Sequence, residues 1–272
     1  MSEKLIALIE HVFTVEEAEV LRHLKPLRSK KASSIARVAG RSVDETTEIL
    51  KGLAHEKCVI LGLLQDGRER FSLLPIVPGM FESALMRPSE DMLGEWHRGF
   101  AELYEDLYDT GYLADNIGKP APFIRYIPVG EIIDTIPAAL PSDRLEGMLE
   151  RYDEYAIMVC QCRVSKKLTG DGCGRMLETC TAFGDIAGWL VRNGKAKSAS
   201  MGDVVDMKRA AESEGLVTWM FNIGTGSRYN GSCSCCGCCC GALRSVTQFH
   251  APGLIAPPPL YPVLRSVRMR IL

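Results

Sequence analysis

The first quarter of the chain sets charged positions among apolar ones on a helical period, a pattern that predicts helices over about 3–12 and 15–24. Ser33 to Ala39 reads as a short third helix, closed by a turn at Gly40. Ser42 is placed to cap a fourth helix over about 43–56, whose apolar positions include Val43, Ile49, Leu50 and Leu53. The strand-like runs Cys58 to Leu64 and Arg70 to Leu73 then flank Asp66-Gly67, a short hairpin signal. Helices followed by a hairpin predict a winged helix-turn-helix domain over 1–75, with the hairpin as its wing.

Pro75 and Pro78-Gly79 mark the exit from that domain, and Ser89, Glu90 and Asp91 predict the start of an amphipathic helix carrying Met92, Trp96, Phe100, Leu103 and Leu107 on one face. After Tyr112 the prolines 120, 122, 128, 137 and 141 punctuate short apolar pieces, so 76–141 reads as a helical connector. Ser142 can cap a helix bearing Leu145, Met148, Leu149 and Tyr152, and the apolar run Tyr155 to Val159 predicts a strand that delivers Cys160. Helices are expected over about 182–192, ended by Asn193-Gly194, and about 201–213, ended by Gly215. A second strand over 216–221 follows, then a Gly-rich loop, Gly224-Thr225-Gly226. If the two strands are neighbours, two cysteine-bearing ends converge. The fold class is α+β (mixed α/β), with a cysteine-rich domain over 142–250 and a Pro-rich basic tail over 251–272.

Cysteine content adds a second, stronger signal. Of 272 residues eleven are Cys, and six of these fall in the eight residues Cys233-Ser234-Cys235-Cys236-Gly237-Cys238-Cys239-Cys240. Four more stand upstream, at Cys160, Cys162, Cys173 and Cys180. A chain long enough to bury a core needs no thiol staples, so this density marks soft-metal or sulfur chemistry. Cys233, Cys236 and Cys239 repeat the C-x-x-C-x-x-C spacing of a ferredoxin loop, and Cys235 with Cys238 gives an interleaved C-x-x-C. Cys160-x-Cys162 reads as a hairpin-like chelate, and Gly170, Gly172 and Gly174 around Cys173 let backbone amides approach a cluster. All ten are candidate ligands of one or two 4Fe-4S clusters, in what is then an iron–sulfur domain. Zinc is the alternative cofactor, although its structural sites favour well-separated cysteine pairs, and thiol redox chemistry is a third. No C-x-x-C-H occurs, which excludes the haem-attachment motif. Arg163 and Arg244 lie beside the two groups, either as donors to cluster sulfides or as surface arginines. Cys58, alone in an apolar run, is expected to be a core thiol.

Charge narrows the partners. The formal net charge is −2, and residues 1–75 hold twelve Lys plus Arg against eleven Asp plus Glu. The predicted helix 43–56 carries Asp44, Glu45, Glu48 and Glu56 against Lys51 alone, which is the wrong chemistry for phosphate contacts or guanine readout. DNA is therefore an unexpected partner; the basic residues Lys25, Arg28, Lys30, Lys31, Arg37 and Arg41 keep it open. No basic leader with a long apolar run and no apolar segment of about eighteen residues occurs, so a cytoplasmic protein without membrane insertion is expected.

The segments Leu74-Pro75-Ile76-Val77-Pro78-Gly79-Met80-Phe81-Glu82, Cys160-Gln161-Cys162-Arg163, Gly172-Cys173 with Cys180, Gly215-Leu216-Val217 and the Cys233–Cys240 run are similar to 4Fe-4S binding, ferredoxin-like proteins of anaerobic bacteria and archaea. Nearly the whole chain resembles them. The resemblance implies iron–sulfur ligation by these cysteines and an electron-transfer or redox-partner role in anaerobic metabolism. It supplies no reaction, so whether the chain is an enzyme stays open, with a component of a larger oxidoreductase system expected over a stand-alone enzyme. Such proteins typically carry a further ferredoxin module with two C-x-x-C-x-x-C-x-x-x-C-P runs; this chain has instead Pro257-Pro258-Pro259-Leu260-Tyr261-Pro262 and a tail with Arg265, Arg268 and Arg270. Electrons would then pass through a separate ferredoxin or oxidoreductase subunit, with the tail as a candidate docking segment. The alternative from another class is a redox- or metal-sensing winged-helix transcription regulator.

Overall fold

The computed structural model describes residues 2–26, 28–65, 67–74, 79–111, 124–127, 129, 144–221, 229–251 and 255–256. Local chemistry sets the N-terminal elements. Helix α1 (Glu3–Val12) buries Leu8 and Val12. Helix α2 (Val15–Leu21) opens in a capping box, in which Thr14 Oγ1 accepts the Glu17 N–H and the Glu17 carboxylate accepts the Thr14 N–H at 2.8 Å. Helix α3 (Ala32–Ala39) stops at Gly40, whose φ of +68° is the left-handed cap that glycine supplies. Ser42 caps α4 (Val43–Lys51), and one π turn, Gly52–Glu56, completes the stretch that the sequence predicts as a single helix. Strands β1 (Ile60–Gln65) and β2 (Arg68–Leu73) pair antiparallel, with Gly67 at φ +70° in the turn.

Two helical expectations are corrected further on. Ser89 caps only a single 3-10 turn, Glu90–Met92, because Gly94 takes an extended conformation and interrupts the helix; α6 runs Glu95–Tyr108. Met92 is consequently exposed, whereas Phe100 and Leu107 are buried and Trp96 and Leu103 pack on the same core. That core joins Leu8, Val12, Leu50, Leu53 and Phe71 to α6 and reaches Val159 and Val164. Between the hairpin and α6 lies the short helix α5 (Phe81–Ala84).

The second half builds a seven-stranded sheet. Its elements are β3 (Ile124–Tyr126), α7 (Leu145–Leu149), β4 (Tyr155–Val159), α8 (Gln161–Leu168), β5 (Glu178–Gly184), α9 (Asp185–Arg192), β6 (Lys197–Ala199), α10 (Met201–Ser213), β7 (Val217–Phe221), β8 (Tyr229–Cys235), α11 (Gly241–Phe249) and β9 (Ile255–Ala256). The order across the sheet is β6-β4-β5-β8-β7-β3-β9, antiparallel throughout except for the β3–β9 pair. Strands β4 and β7 are thus not neighbours. The cysteine-bearing ends converge because β5 and β8 lie between them.

Strand β5 corrects a second expectation. Residues 182–184 are strand, not helix: β-branched Thr179 and Thr181 favour the extended chain, and Gly184 at φ +70° makes the corner from which α9 starts at Asp185. Alternation along the strands splits the sheet into two faces. Ala182, Cys180, Trp219, Cys233 and Cys235 share one face with Ala187, Trp189 and Leu190 of α9. Phe183 and Met220 share the other with Leu149 of α7 and Val204 of α10. Trp189 Nε1 donates to the Gly62 carbonyl, tying β1 to the cysteine-bearing face. The architecture is mixed α and β, and among the described residues no helix is long and apolar enough to cross a membrane. Asp66, Ser142, the five prolines after Tyr112, the loop Gly224-Thr225-Gly226 and the tail from Pro257 fall outside the described residues.

Candidate metal centre

The dense cysteine run is three pieces of structure. Cys233 and Cys235 lie in β8 and, being two apart, face the same side; Ser232 and Ser234 face the other and are fully buried. The chain then turns through Cys236 to Cys239, and the Cys240 N–H donates to the Cys236 carbonyl at 3.2 Å. Cys240 finally caps α11 in an extended conformation. Upstream, Cys160 ends β4 and caps α8, and Cys162 lies in the first turn of that helix. The pair is therefore a helix N-terminus and not the hairpin chelate its spacing suggests.

Six thiols form a closed ring. Each thiol shifts the acidity of its two neighbours in the order Cys160, Cys162, Cys240, Cys235, Cys233, Cys180 and back to Cys160, and the one thiol–thiol hydrogen bond in the set runs from Cys180 to Cys233. The Cys180 and Cys233 sulfurs are 3.6 Å apart. All six are buried except Cys162, which is half-buried.

Acidity alternates around the ring. Cys160, Cys233 and Cys240 are each flanked by two thiols that favour their thiolate and are held below the usual thiol value, Cys233 at about 5. Cys162, Cys180 and Cys235 keep their protons between those neighbours and are pushed up, with burial adding to the rise. Two of the thiolates also head a helix, and the N–H of its third residue, Arg163 for Cys160 and Leu243 for Cys240, lowers them further.

Two buried cations lie near this ring, Arg163 on the helix that Cys160 caps and Lys208 on α10 across the sheet. Arg163 is 2% exposed and Lys208 is 0% exposed, and among the described residues neither pairs with a carboxylate. Lys208 Nζ donates to the Thr179 carbonyl at 3.0 Å; burial pulls its pKa down, and Cys233, Cys180, Cys235 and Cys160 oppose that fall. Arg163 Nη1 donates to the Ser234 carbonyl at 3.0 Å and Nη2 bonds Thr179 Oγ1. Burial works against its charge, but Cys160 and Cys180 outweigh the burial and hold the guanidinium firmly protonated. A desolvated cation without a counter-charge costs several kcal/mol, a cost that anionic sulfur nearby would offset. Glu82 lies near the same thiols; burial, with Cys233 and Cys240 adding to it, raises its carboxyl to about 7 against the Gly79 N–H that it accepts at 2.7 Å.

The four remaining thiols form a separate group. The sulfurs of Cys173, Cys236, Cys238 and Cys239 all lie within 4.8 Å of one another. Cys236 and Cys239 are buried, Cys173 is half-buried and Cys238 exposed. Burial disfavours the Cys236 thiolate, yet hydrogen bonds from Cys238, the Cys239 N–H, Arg163 and Cys239 prevail and keep it below the usual value. Burial pushes Cys239 up. Arg163 spans the two groups, its Nη1 4.0 Å from Cys236 Sγ.

The structure thus brings all ten candidate cysteines into two sets but sorts them differently from their spacing. Cys233 separates from Cys236 and Cys239, and Cys235 separates from Cys238, because a strand ends between them. Arg163 belongs to the site. Arg244 does not face thiols: it is buried, with Nη1 2.7 Å from Glu105 and Nη2 3.1 Å from Asp109. Cys58 is a buried thiol that donates to the Ala54 carbonyl at 3.5 Å. Sequence reasoning missed Lys208, although its spacing from Val204 and Ala211 put a cation on the apolar face of α10. It also missed Trp219, whose buried Nε1–H has no partner among the described residues on the face shared with Cys233. No protein-family model, curated protein or solved structure matches this chain.

Proposed function

We propose that this protein is an iron–sulfur electron-transfer protein whose redox centre forms at the ring of Cys160, Cys162, Cys180, Cys233, Cys235 and Cys240. The observation that carries the reading is the gathering of six thiols, five of them buried, on one apolar sheet face near Lys208 and Arg163, two buried cations that have no carboxylate partner among the described residues. The donor set fits: the ligands are soft, and the buried Nε–H groups of Arg163 and Trp219 are donors that sulfur acceptors would satisfy. An iron–sulfur cluster held there would supply one-electron chemistry at a potential set by charge, burial and hydrogen bonds to sulfur.

The chain's own residues then do three things. The ring cysteines supply thiolates at an apolar sheet face that excludes water. Lys208 and Arg163 offset their negative charge, and the helix N-termini of α8 and α11 do the same at Cys160 and Cys240. The remaining N-terminal elements serve as a winged-helix module that binds a protein partner in a reducing cytoplasm. Its α4 presents Asp44, Glu45 and Glu48, and Arg41 is held by Glu16, Glu19 and Glu45, which makes this helix a poor surface for phosphate contacts. The test is to purify the full chain without oxygen and measure iron, acid-labile sulfide and electron paramagnetic resonance after reduction. The reading expects a brown protein with both elements in cluster ratio; a colourless protein holding only zinc overturns it.

A further inference from the structure

We propose that Cys173, Cys236, Cys238 and Cys239 form a second metal centre that takes a single thiophilic divalent ion of the zinc or ferrous class, not a cluster. It goes beyond the ring and stands whether or not the ring binds iron.

Distance makes the argument. Around one ion with metal–sulfur bonds of about 2.3 Å, the edges of a sulfur tetrahedron are about 3.8 Å. Cys173 and Cys236 have their sulfurs 3.9 Å apart, Cys238 and Cys239 3.8 Å apart, and no pair of the four exceeds 4.8 Å. In a cubane each thiolate binds a different iron, so the four sulfurs stand much farther apart than one tetrahedral edge. The set is also not a pair of disulfides, in which bonded sulfurs are about 2.05 Å apart; all four are free thiols.

Topology separates this centre from the ring. Cys236 and Cys239 pack with Ala211 and Leu216, whereas the ring thiols pack with Trp189 and Trp219. Three ligands come from one turn and the fourth from a loop sixty residues earlier in which Gly170 and Gly174 have φ of +91° and +73°. An ion there fastens that loop to the turn, a closure the metal supplies and the sequence cannot. Access differs as well. Cys238 is exposed, and Cys173 opens on a cavity of about 320 Å³ that Arg163 and Arg175 also line, so an ion can exchange with solvent while four thiolates have cations beside them.

Cobalt(II) is the probe, because four-thiolate tetrahedral cobalt has intense visible ligand-field bands. Full-length protein is titrated without oxygen, alongside Cys238→Ser, Cys238→His and Cys233→Ser variants. We expect Cys238→Ser to lose one equivalent of four-thiolate cobalt, Cys238→His to keep that equivalent with shifted bands, and Cys233→Ser to keep it unshifted; zinc should displace the cobalt. Identical titrations for wild type and Cys238→Ser overturn the proposal, as does a Cys238→Ser protein that loses about four irons and four sulfides per chain. A protein without iron whose cobalt behaves as expected rejects the iron–sulfur reading and leaves this one intact.

Discussion

Cys180 and Cys233 are backbone partners across β5 and β8, and that register brings their sulfurs to 3.6 Å. A strand has a two-residue period, so a slip of one residue would replace Cys233 at this position by a serine and turn the thiol to the opposite face. Strand register thus sets the spacing of these thiols. The same register sets Trp219 opposite Cys233 and Val217 opposite Cys235.

Lys208→Met separates a charged centre from a merely packed set of thiols. If the ring were neutral, replacing a buried lysine by an apolar side chain of similar length would be neutral or stabilising. With a negatively charged centre bound, the change should lower the reduction potential and weaken metal retention, read by redox titration and by iron released to a chelator. An unchanged potential together with a higher melting temperature would contradict the role assigned to Lys208.

Glu105 fixes the helices that present the ring. Its buried carboxylate accepts from Arg244 of α11 at 2.7 Å, from Lys166 of α8 at 3.0 Å and from Ser165 Oγ of α8 at 2.7 Å. These are the helices headed by Cys240 and Cys160. Glu105→Ala leaves Arg244 with Asp109 and Lys166 with Asp171 as their remaining carboxylates, and should cost about 1.5–3 kcal/mol, seen as a lower unfolding midpoint in denaturant. A loss under about 1 kcal/mol would mean that the network is not holding α8 and α11.

The N-terminal helices, the hairpin, β4, α10 and β7 were legible in the sequence because each has its own local signal: a helical charge period, the cap at Ser42, glycines such as Gly40, Gly67 and Gly215 at φ > 0, and apolar runs bounded by turns. Strands β5 and β8 were not. Thr179-Cys180-Thr181-Ala182 and Gly231-Ser232-Cys233-Ser234 are built from small residues whose alternation has little hydropathy contrast, and their extended form comes from central pairing in the sheet. The ten candidate cysteines stand out as a set, since cysteine density needs no fold to be noticed. Their division into six and four does not, because spacing along the chain carries no information on where β8 ends and the turn begins.

His97 gives the pH dependence. Burial, with Arg87 and Lys195 adding to it, lowers its pKa to about 4, and Arg87 Nη2 lies 2.8 Å from its Nε2. An unfolded histidine takes up its proton near pH 6.5, so the unfolded state binds the proton first as pH falls. Stability from this group is complete above about pH 6.5 and is lost progressively as the pH falls through about 4. The melting temperature of His97→Gln should therefore fall less steeply than that of wild type over this window; parallel curves would exclude His97 as the source.

Cys58 is a thiol outside both groups, with φ of +59° in the left-handed region. Cys58→Ala keeps that strain and loses the sulfur, whereas Cys58→Gly relieves it, an effect of about 1–2 kcal/mol. The glycine variant is expected to be at least as stable as the alanine variant, and both should retain wild-type metal content. Metal loss in both would place Cys58 among the ligands.

Iron and acid-labile sulfide per chain in anaerobically reconstituted Cys180→Ser and Cys233→Ser proteins, set against wild type, test the ring most directly. The ring assignment predicts that each variant loses most of both elements together with the visible absorbance. Wild-type iron and sulfide in the two variants would contradict it.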